Sequence, residues 1–435
     1  MGMMRILFKN GVILTGNENN DCLTDGYLIV EDKIIAEVGS NKEVSGTFDQ
    51  IIDLKGKWVM PGWINTHGHA AMSLLRGFAD DLPLKEWLEQ KMWPMEAKYT
   101  AETVRWGTAL AVMEMLKTGT TCFVDMYDHM DVVAEVVAEA GIRGVLTRGI
   151  IGLCSEEEQE RKLKEAASFA QNWHGKAEGR ITTMMAPHSA YTCSPQYIAR
   201  IVDEAVRLNL PVHIHLSETA REVEQNVRDY GERPVAHLQK IGLFERPTLV
   251  AHAVHLTEEE MDILKAYDVK ISHNPSSNLK LGSGVAPVAK LLSKGFHVSI
   301  GTDSAASNNN LDMFQEVRLA ALLHKGVNQD PTCLPAEIAF KMGTSWGAEA
   351  VFLPQIGSLT KGKEADFIIL NPHKAHLQPD DQPLSHIIYA ATGADVTDVY
   401  IQGRQVVKDR QCLFLDEERV LYEAKRAFQR LCSPS

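Results

Sequence analysis

Within the stretch PGWINTHGHAAMSLLRGFADDLP, residues 61–83, His67 and His69 flank a single glycine. Side chains of an extended strand alternate faces, so residues i and i+2 leave the same face and both imidazoles can aim at one point. Polar residues end several later apolar runs in the same way: His188 in RITTMMAPH, His213 and His215 with Glu218 in LPVHIHLSE, His252 and His255 in PTLVAHAVH, His273 in DVKISHNP and Asp303 in HVSIGTDS. One histidine at a strand end is ordinary packing; so many at equivalent positions are hard to explain that way. Imidazoles with a carboxylate suit a divalent transition ion such as zinc or iron. Such an ion lowers the pKa of a coordinated water, to about 7 in favourable zinc sites. A carboxylate beside it, here Glu218, can carry protons between water, substrate and leaving group. The plainer reading of Glu218 is a charge at the N-terminus of a helix over ETAREVEQNV, where the macrodipole favours glutamate. No lysine ends any of these runs, so none is placed to be carboxylated and bridge two ions; one metal per chain is expected.

These residues need elements that bring them together. Eight apolar runs qualify as strands: WVMPGWINTH, TTCFVDMY, RGVLTRGII, RITTMMAPH, LPVHIHLS, PTLVAHAV, DVKISHNP and HVSIGTDS. Amphipathic helical patterns alternate with them, including TAETVRWGTALAVMEMLKTG and TEEEMDILKAYD, the latter opening on Thr257 as an N-cap. Eight β/α repeats predict an α/β fold of the (β/α)8 TIM-barrel type, whose active sites gather at the C-terminal strand ends. Residues 1–57 and 357–435 read instead as strand and turn, closed by the helical tail DEERVLYEAKRAFQRLC. They are expected to form one small β-sandwich domain from both chain ends, interrupted by a barrel over 58–356.

Composition bounds the partners. The 435 residues carry a formal charge of −13 with no basic block, which argues against nucleic acid. No apolar run is long enough to span a bilayer, and the N-terminus lacks the pattern of a secretory signal. The seven cysteines are scattered without a C-x-x-C pair and read as free thiols in a reducing cytoplasm. A small-molecule substrate and a homo-oligomer are the expectations.

Five segments, PGWINTHGHAAMSLLRG, HIHLSETAREVE, LVAHAVHL, SHNPSSNLKLGSGVAPV and GTDSAASNNNLDMFQEVRLAALLHK, resemble the amidohydrolase superfamily. Within it they resemble the aminohydrolases that include the S-adenosylhomocysteine/5′-methylthioadenosine deaminases. The resemblance covers nearly the whole chain. Its metal motifs are shared across the superfamily, whereas GTDSAASNNNLDMF is narrower, pointing to adenosine-thioether deaminases with triazine hydrolases close by. The resemblance implies metal ligands at His67, His69, His215 and Asp303, a proton shuttle at Glu218, and catalytic roles for His252 and Asp303. His255 competes with His252. His213 shares a strand face with His215, so spacing does not choose between them; the family pattern takes His215. Implied substrate contacts are Glu96 on ribose hydroxyls, Arg148 and Arg161 near the substrate tail, and His188, alongside Glu218 and Asp303. Arg161 lies in SEEEQERKLKE, where a solvated salt-bridge face is an equal alternative. Ser304 departs from the glycine or alanine of the family pattern, beside the ligand set but outside it. The implied reaction is hydrolytic deamination of the adenine ring of S-adenosylhomocysteine and 5′-methylthioadenosine, with adenosine a further candidate. It would use one Zn2+, or Fe2+, per chain. The rivals are guanine or cytosine deamination, triazine hydrolysis, and a non-catalytic scaffold, which would generally lack some of the ligands.

Overall fold

The run WVMPGWINTH, expected as one strand, divides at Gly62 in the computed structural model, which describes residues 4–40 and 44–433. Trp58–Pro61 pairs with Arg5–Leu14 and Phe367–Leu370, while Trp63–Asn65 enters a different sheet. A Cβ at Gly62 would stand 2.1 Å from the Thr121 side chain, so only glycine lets the chain cross there. Trp58–Pro61 therefore belongs to the small domain, although the sequence placed it in the barrel.

The barrel strands are β1 (Trp63–Asn65), β2 (Thr120–Tyr127), β3 (Arg143–Ile150), β4 (Ile181–Thr183), β5 (Val212–Leu216), β6 (Thr248–His252), β7 (Lys270–His273) and β8 (Val298–Ile300). Ala186–Pro187 extends β4 along β3. β1 to β4 and β5 to β8 form two parallel sheets. Bridges Met185–Val212 and Ser189–His215 join them on one side. On the other, the Thr66 N–H donates to Ile300 O at 3.1 Å and the Asp303 N–H to His67 O at 3.0 Å, closing the barrel. Asn65 reinforces this seam, donating to Thr302 Oγ1 at 2.7 Å and accepting from the Thr302 N–H at 2.9 Å.

The helices follow from their periodicity. Pro195–Leu208 buries Tyr197, Ile198, Ile201, Val202 and Ala205, one face of a 3.6-residue repeat, and Ser194 caps it. Each such apolar side chain contributes about 1.5–3 kcal/mol when fully buried. Thr257 caps Glu258–Ala266 as expected, with Glu260 completing a capping box.

The small domain is a nine-stranded mixed sheet drawn from both chain ends. One face encloses its own apolar core, where Phe8 packs edge-on against Phe367 at 5.1 Å and Phe367 stacks on Tyr400 at 4.7 Å. The other face, through Trp58, Met60, Ile368 and Leu370, joins the barrel core. The junction holds a buried ion pair: Arg143, at the start of β3, donates to Asp366 at 2.9 Å and Glu364 at 2.8 Å. The small domain thus meets the barrel at the N-terminal ends of β2 and β3, away from the C-terminal strand ends, while the segment 348–356 packs against Ile64, Val124 and Leu249 inside the barrel. The terminal helix Glu417–Cys432, expected with the small domain, instead lays Ala424, Ala427 and Leu431 on the barrel side beside Met72 and Trp87. All seven cysteines are unpaired, and no described helix is long and apolar enough to cross a membrane.

Candidate active site

At the C-terminal strand ends a cavity of about 760 Å³ is lined by His69, His188, His215, Glu218, His252 and Asp303, among others. His67 and His69 lie just past β1, their ring centroids 4.9 Å apart. His69 Nε2 stands 3.4 Å from Asp303 Oδ1 and 3.4 Å from His215 Nε2; His67 Nε2 stands 3.6 Å from Asp303 Oδ1. Ligands 2.0–2.2 Å from one zinc ion sit about 3.3–3.6 Å apart at tetrahedral angles, so these separations match a shared cation.

The ring nitrogens point the same way. His69 Nδ1 donates to Met126 O at 2.6 Å and His215 Nδ1 to His188 O at 2.7 Å. A carbonyl only accepts, so each ring carries its hydrogen on Nδ1 and turns a lone pair outward from Nε2. His67 Nε2 is buried with no partner among the described residues. Burial, then the neighbouring rings, hold His67 and His215 well below the ordinary histidine range, hence neutral. These donors fit a divalent cation.

Burial works against the Asp303 charge, while a 2.6 Å hydrogen bond from Ser277 Oγ and a 2.7 Å bond from the Ser304 N–H favour it. Ser304, the departure from the family pattern, thus supports Asp303 through its backbone. Ser217, His252 and Asp303 adopt φ of 49°, 75° and 59°, sharp turns at the strand ends, and His252 and Asp303 line the cavity there.

Glu218 lies outside the helix Ala220–Tyr230, whose N-cap is Thr219. The helix-terminal role belongs to Glu222, which accepts from the Ser217 and Glu218 N–H groups at 3.0 and 2.7 Å. Glu218 is free to face the cavity, with Oε2 3.6 Å from His252 Nε2. Burial and then the Asp303 charge push it up to about 8, a carboxyl poised between its two states near neutral pH.

The remaining histidines divide. His252 Nδ1 meets Asn278 Oδ1 at 2.8 Å and its ring faces the cavity. His255 instead donates to Ser283 O at 2.7 Å. His273 faces away from the cavity and pairs with His324 at 3.0 Å. His213 sits behind His67, 2.9 Å from its Nδ1. His188 lines the cavity with its ring 4.5 Å from that of His215, and burial lowers it to about 3.

Farther out, Glu96 accepts from the Tyr127 hydroxyl at 2.6 Å. Arg148, at the end of β3, is buried between Asp128 and Glu165, each at 3.2 Å. Arg161 is exposed and engaged by Glu158 and Glu165, yet also lines the cavity mouth. The sequence reading missed Tyr127, although it ends the run TTCFVDMY and the rule that found the histidines applies to it. It also missed Ser277 and Asn278, which lie beyond their run end and carried no such signal. The cavity wall adds Trp87, Leu88 and Trp93, an apolar and aromatic surface suited to a flat ring.

The pattern of the amidohydrolase family matches residues 58–406. A 5-methylthioadenosine/S-adenosylhomocysteine deaminase of Halalkalibacterium halodurans is 50% identical over 434 residues, spanning 99% of both chains. Another of that name from Shouchella clausii is 46% identical over 98% of this chain and 100% of its own. Among solved structures, a zinc-bound adenosine deaminase from Xanthomonas campestris superposes with a TM-score of 0.94 at 35% identity, covering 98% of each chain. A zinc-complexed atrazine chlorohydrolase from Arthrobacter aurescens reaches 0.91 at 22% identity, covering 97% of this chain and 100% of that one, a likeness of fold alone.

Proposed function

The chain belongs to the amidohydrolase family, and from that membership we propose that it deaminates the adenine ring of S-adenosylhomocysteine and 5′-methylthioadenosine, and of adenosine, to the inosine analogue and ammonia. The observation that carries this reading is one cavity lined by His69, His215, Asp303, Glu218, Glu96 and Arg148, with the buried His67 grouped against His69 and Asp303 at its floor. The names of the full-length relatives support the substrate class.

In this reading His67, His69, His215 and Asp303 hold one divalent ion, zinc by preference and iron by the same donors. When bound, the ion lowers the pKa of water and polarises the reacting centre. Glu218 takes a proton from the attacking water as its oxygen adds to C6, and the C6–N1 π pair moves to N1. Glu218 delivers the proton to N1. It then passes the remaining hydroxyl proton to the amino nitrogen as the C6–N bond breaks and C6=O forms. His252 and Asp303 orient the oxygen through the tetrahedral stage. Glu96, oriented by Tyr127, accepts the ribose hydroxyls, which suit a two-oxygen acceptor. Arg148 and Arg161 face the tail, and His188 the substrate. The chain works on a small molecule, as a homo-oligomer.

A screen across adenine nucleosides and their thioethers, read by the ultraviolet shift from adenine to hypoxanthine, tests the reading. Turnover of the two thioethers is expected. Turnover confined to guanine, cytosine or a chlorotriazine would overturn it.

A further inference from the structure

The HIH motif of β5 carries two histidines, and the proposed reaction uses only His215. His213 is fully buried on the same strand face. Its Nδ1 lies 2.9 Å from Leu249 O and its Nε2 2.9 Å from His67 Nδ1. The carbonyl can only accept, so the His213 hydrogen sits on Nδ1 and its Nε2 offers a lone pair. His67 Nδ1 must then donate to that lone pair. A neutral imidazole with its hydrogen on Nδ1 has a bare Nε2, and in His67 that atom is the buried, unpartnered one 3.6 Å from Asp303 Oδ1.

His69 and His215 reach the same state through backbone carbonyls of Met126 and His188. For His67 the acceptor is instead another side chain, 146 positions away in the chain. The relay Leu249 O, His213, His67 is therefore directional, each link deciding the next.

We propose that His213 is a positioning residue that fixes His67 with its hydrogen on Nδ1, readying Nε2 as a metal ligand. This rests on the metal site proposed above. Partners of this kind typically set metal affinity by 10–100-fold.

The test uses zinc-loaded full-length chains and competition against a chromophoric chelator. His213→Phe keeps the ring and removes both nitrogens; His213→Gln returns an acceptor oxygen. The phenylalanine variant should bind zinc about 10–100-fold more weakly with an unchanged circular dichroism spectrum, and the glutamine variant should recover affinity. Unaltered zinc affinity in His213→Phe overturns the proposal. His67→Ala separates the two claims: unaltered affinity there sinks the ligand set itself. Should the phenylalanine variant not fold, the 15N histidine spectrum of the wild-type chain decides. After zinc removal His67 should hold its hydrogen on Nδ1, and a hydrogen on Nε2 overturns the proposal.

Discussion

Glu218 Oε2 stands 3.6 Å from His252 Nε2, and both side chains are almost wholly buried although they leave different strand ends. A shuttle suits this setting: a carboxyl buried in the cavity wall beside a second polar group, with burial pushing it up to about 8. Glu218→Gln keeps the shape but cannot take a proton. It should retain zinc and fold while kcat falls about 10²–10⁴-fold, the usual worth of a general acid–base group. Steady-state kinetics alongside metal analysis checks this; near-normal kcat would remove Glu218 from the role.

His67, His69 and Asp303 form one close donor group and His67, His215 and His252 another, with His67 common to both, and Lys162, a lysine of the cavity wall, donates to Ile151 O at 3.0 Å on the rim. Elemental analysis of protein purified without added metal should give about one equivalent of zinc or iron per chain. Chelation should abolish turnover, and one equivalent should restore it. Two tightly held equivalents would contradict the mononuclear site.

Arg148 is held by two carboxylates, yet its Nε is buried without a partner. If the guanidinium reads the carboxylate of S-adenosylhomocysteine, Arg148→Ala should spare 5′-methylthioadenosine, which lacks that group. A charge-assisted hydrogen bond contributes about 1.5–3 kcal/mol, so the selective loss in kcat/KM should be roughly ten- to a hundredfold. Glu96→Ala should impair both substrates alike, since both carry the ribose. Equal losses on Arg148→Ala would dismiss it as the tail reader.

Glu316 ties the loop after β8 to the helix Pro275–Lys280, accepting from Asn308 Nδ2 at 2.9 Å, from Ser276 Oγ and from the Ser276 N–H. Burial pushes it from 4.5 up to about 7. Because the folded-state pKa is raised, its contribution is fully present below about 4.5 and is lost as pH rises through about 7. Glu316→Gln cannot ionise, so its stability relative to wild type should improve between pH 5 and pH 8, by at most about 3 kcal/mol. Denaturant titrations of both chains at the two pH values read the difference. A pH-independent gap would show that Glu316 does not titrate in this window.

The barrel was legible because its signals are local. Short apolar runs ending in histidine and a helix capped by Thr257 depend on neighbours within a turn. The first strand failed for an equally physical reason. Both halves of WVMPGWINTH are buried, and burial on both faces erases any pattern that could show the chain leaving one sheet for another at Gly62. The terminal helix was visible as a helix, but which surface its stripe would cover was not.

The sequence by itself determined which residue types stand at the strand ends, and therefore the expectation of a cation site with a carboxylate beside it. It left open His213 against His215, His252 against His255, and Glu218 against the helix terminus. Tertiary structure distinguishes the members of each pair by hydrogen bonding. Leu249 O and His67 occupy both nitrogens of His213, Ser283 O engages His255, and Glu222, not Glu218, is the acidic residue in the first turn of the helix Ala220–Tyr230. These partners lie between 4 and 146 residues away. An imidazole's free nitrogen depends on what its other nitrogen touches, and only the closed barrel brings most of those partners within reach.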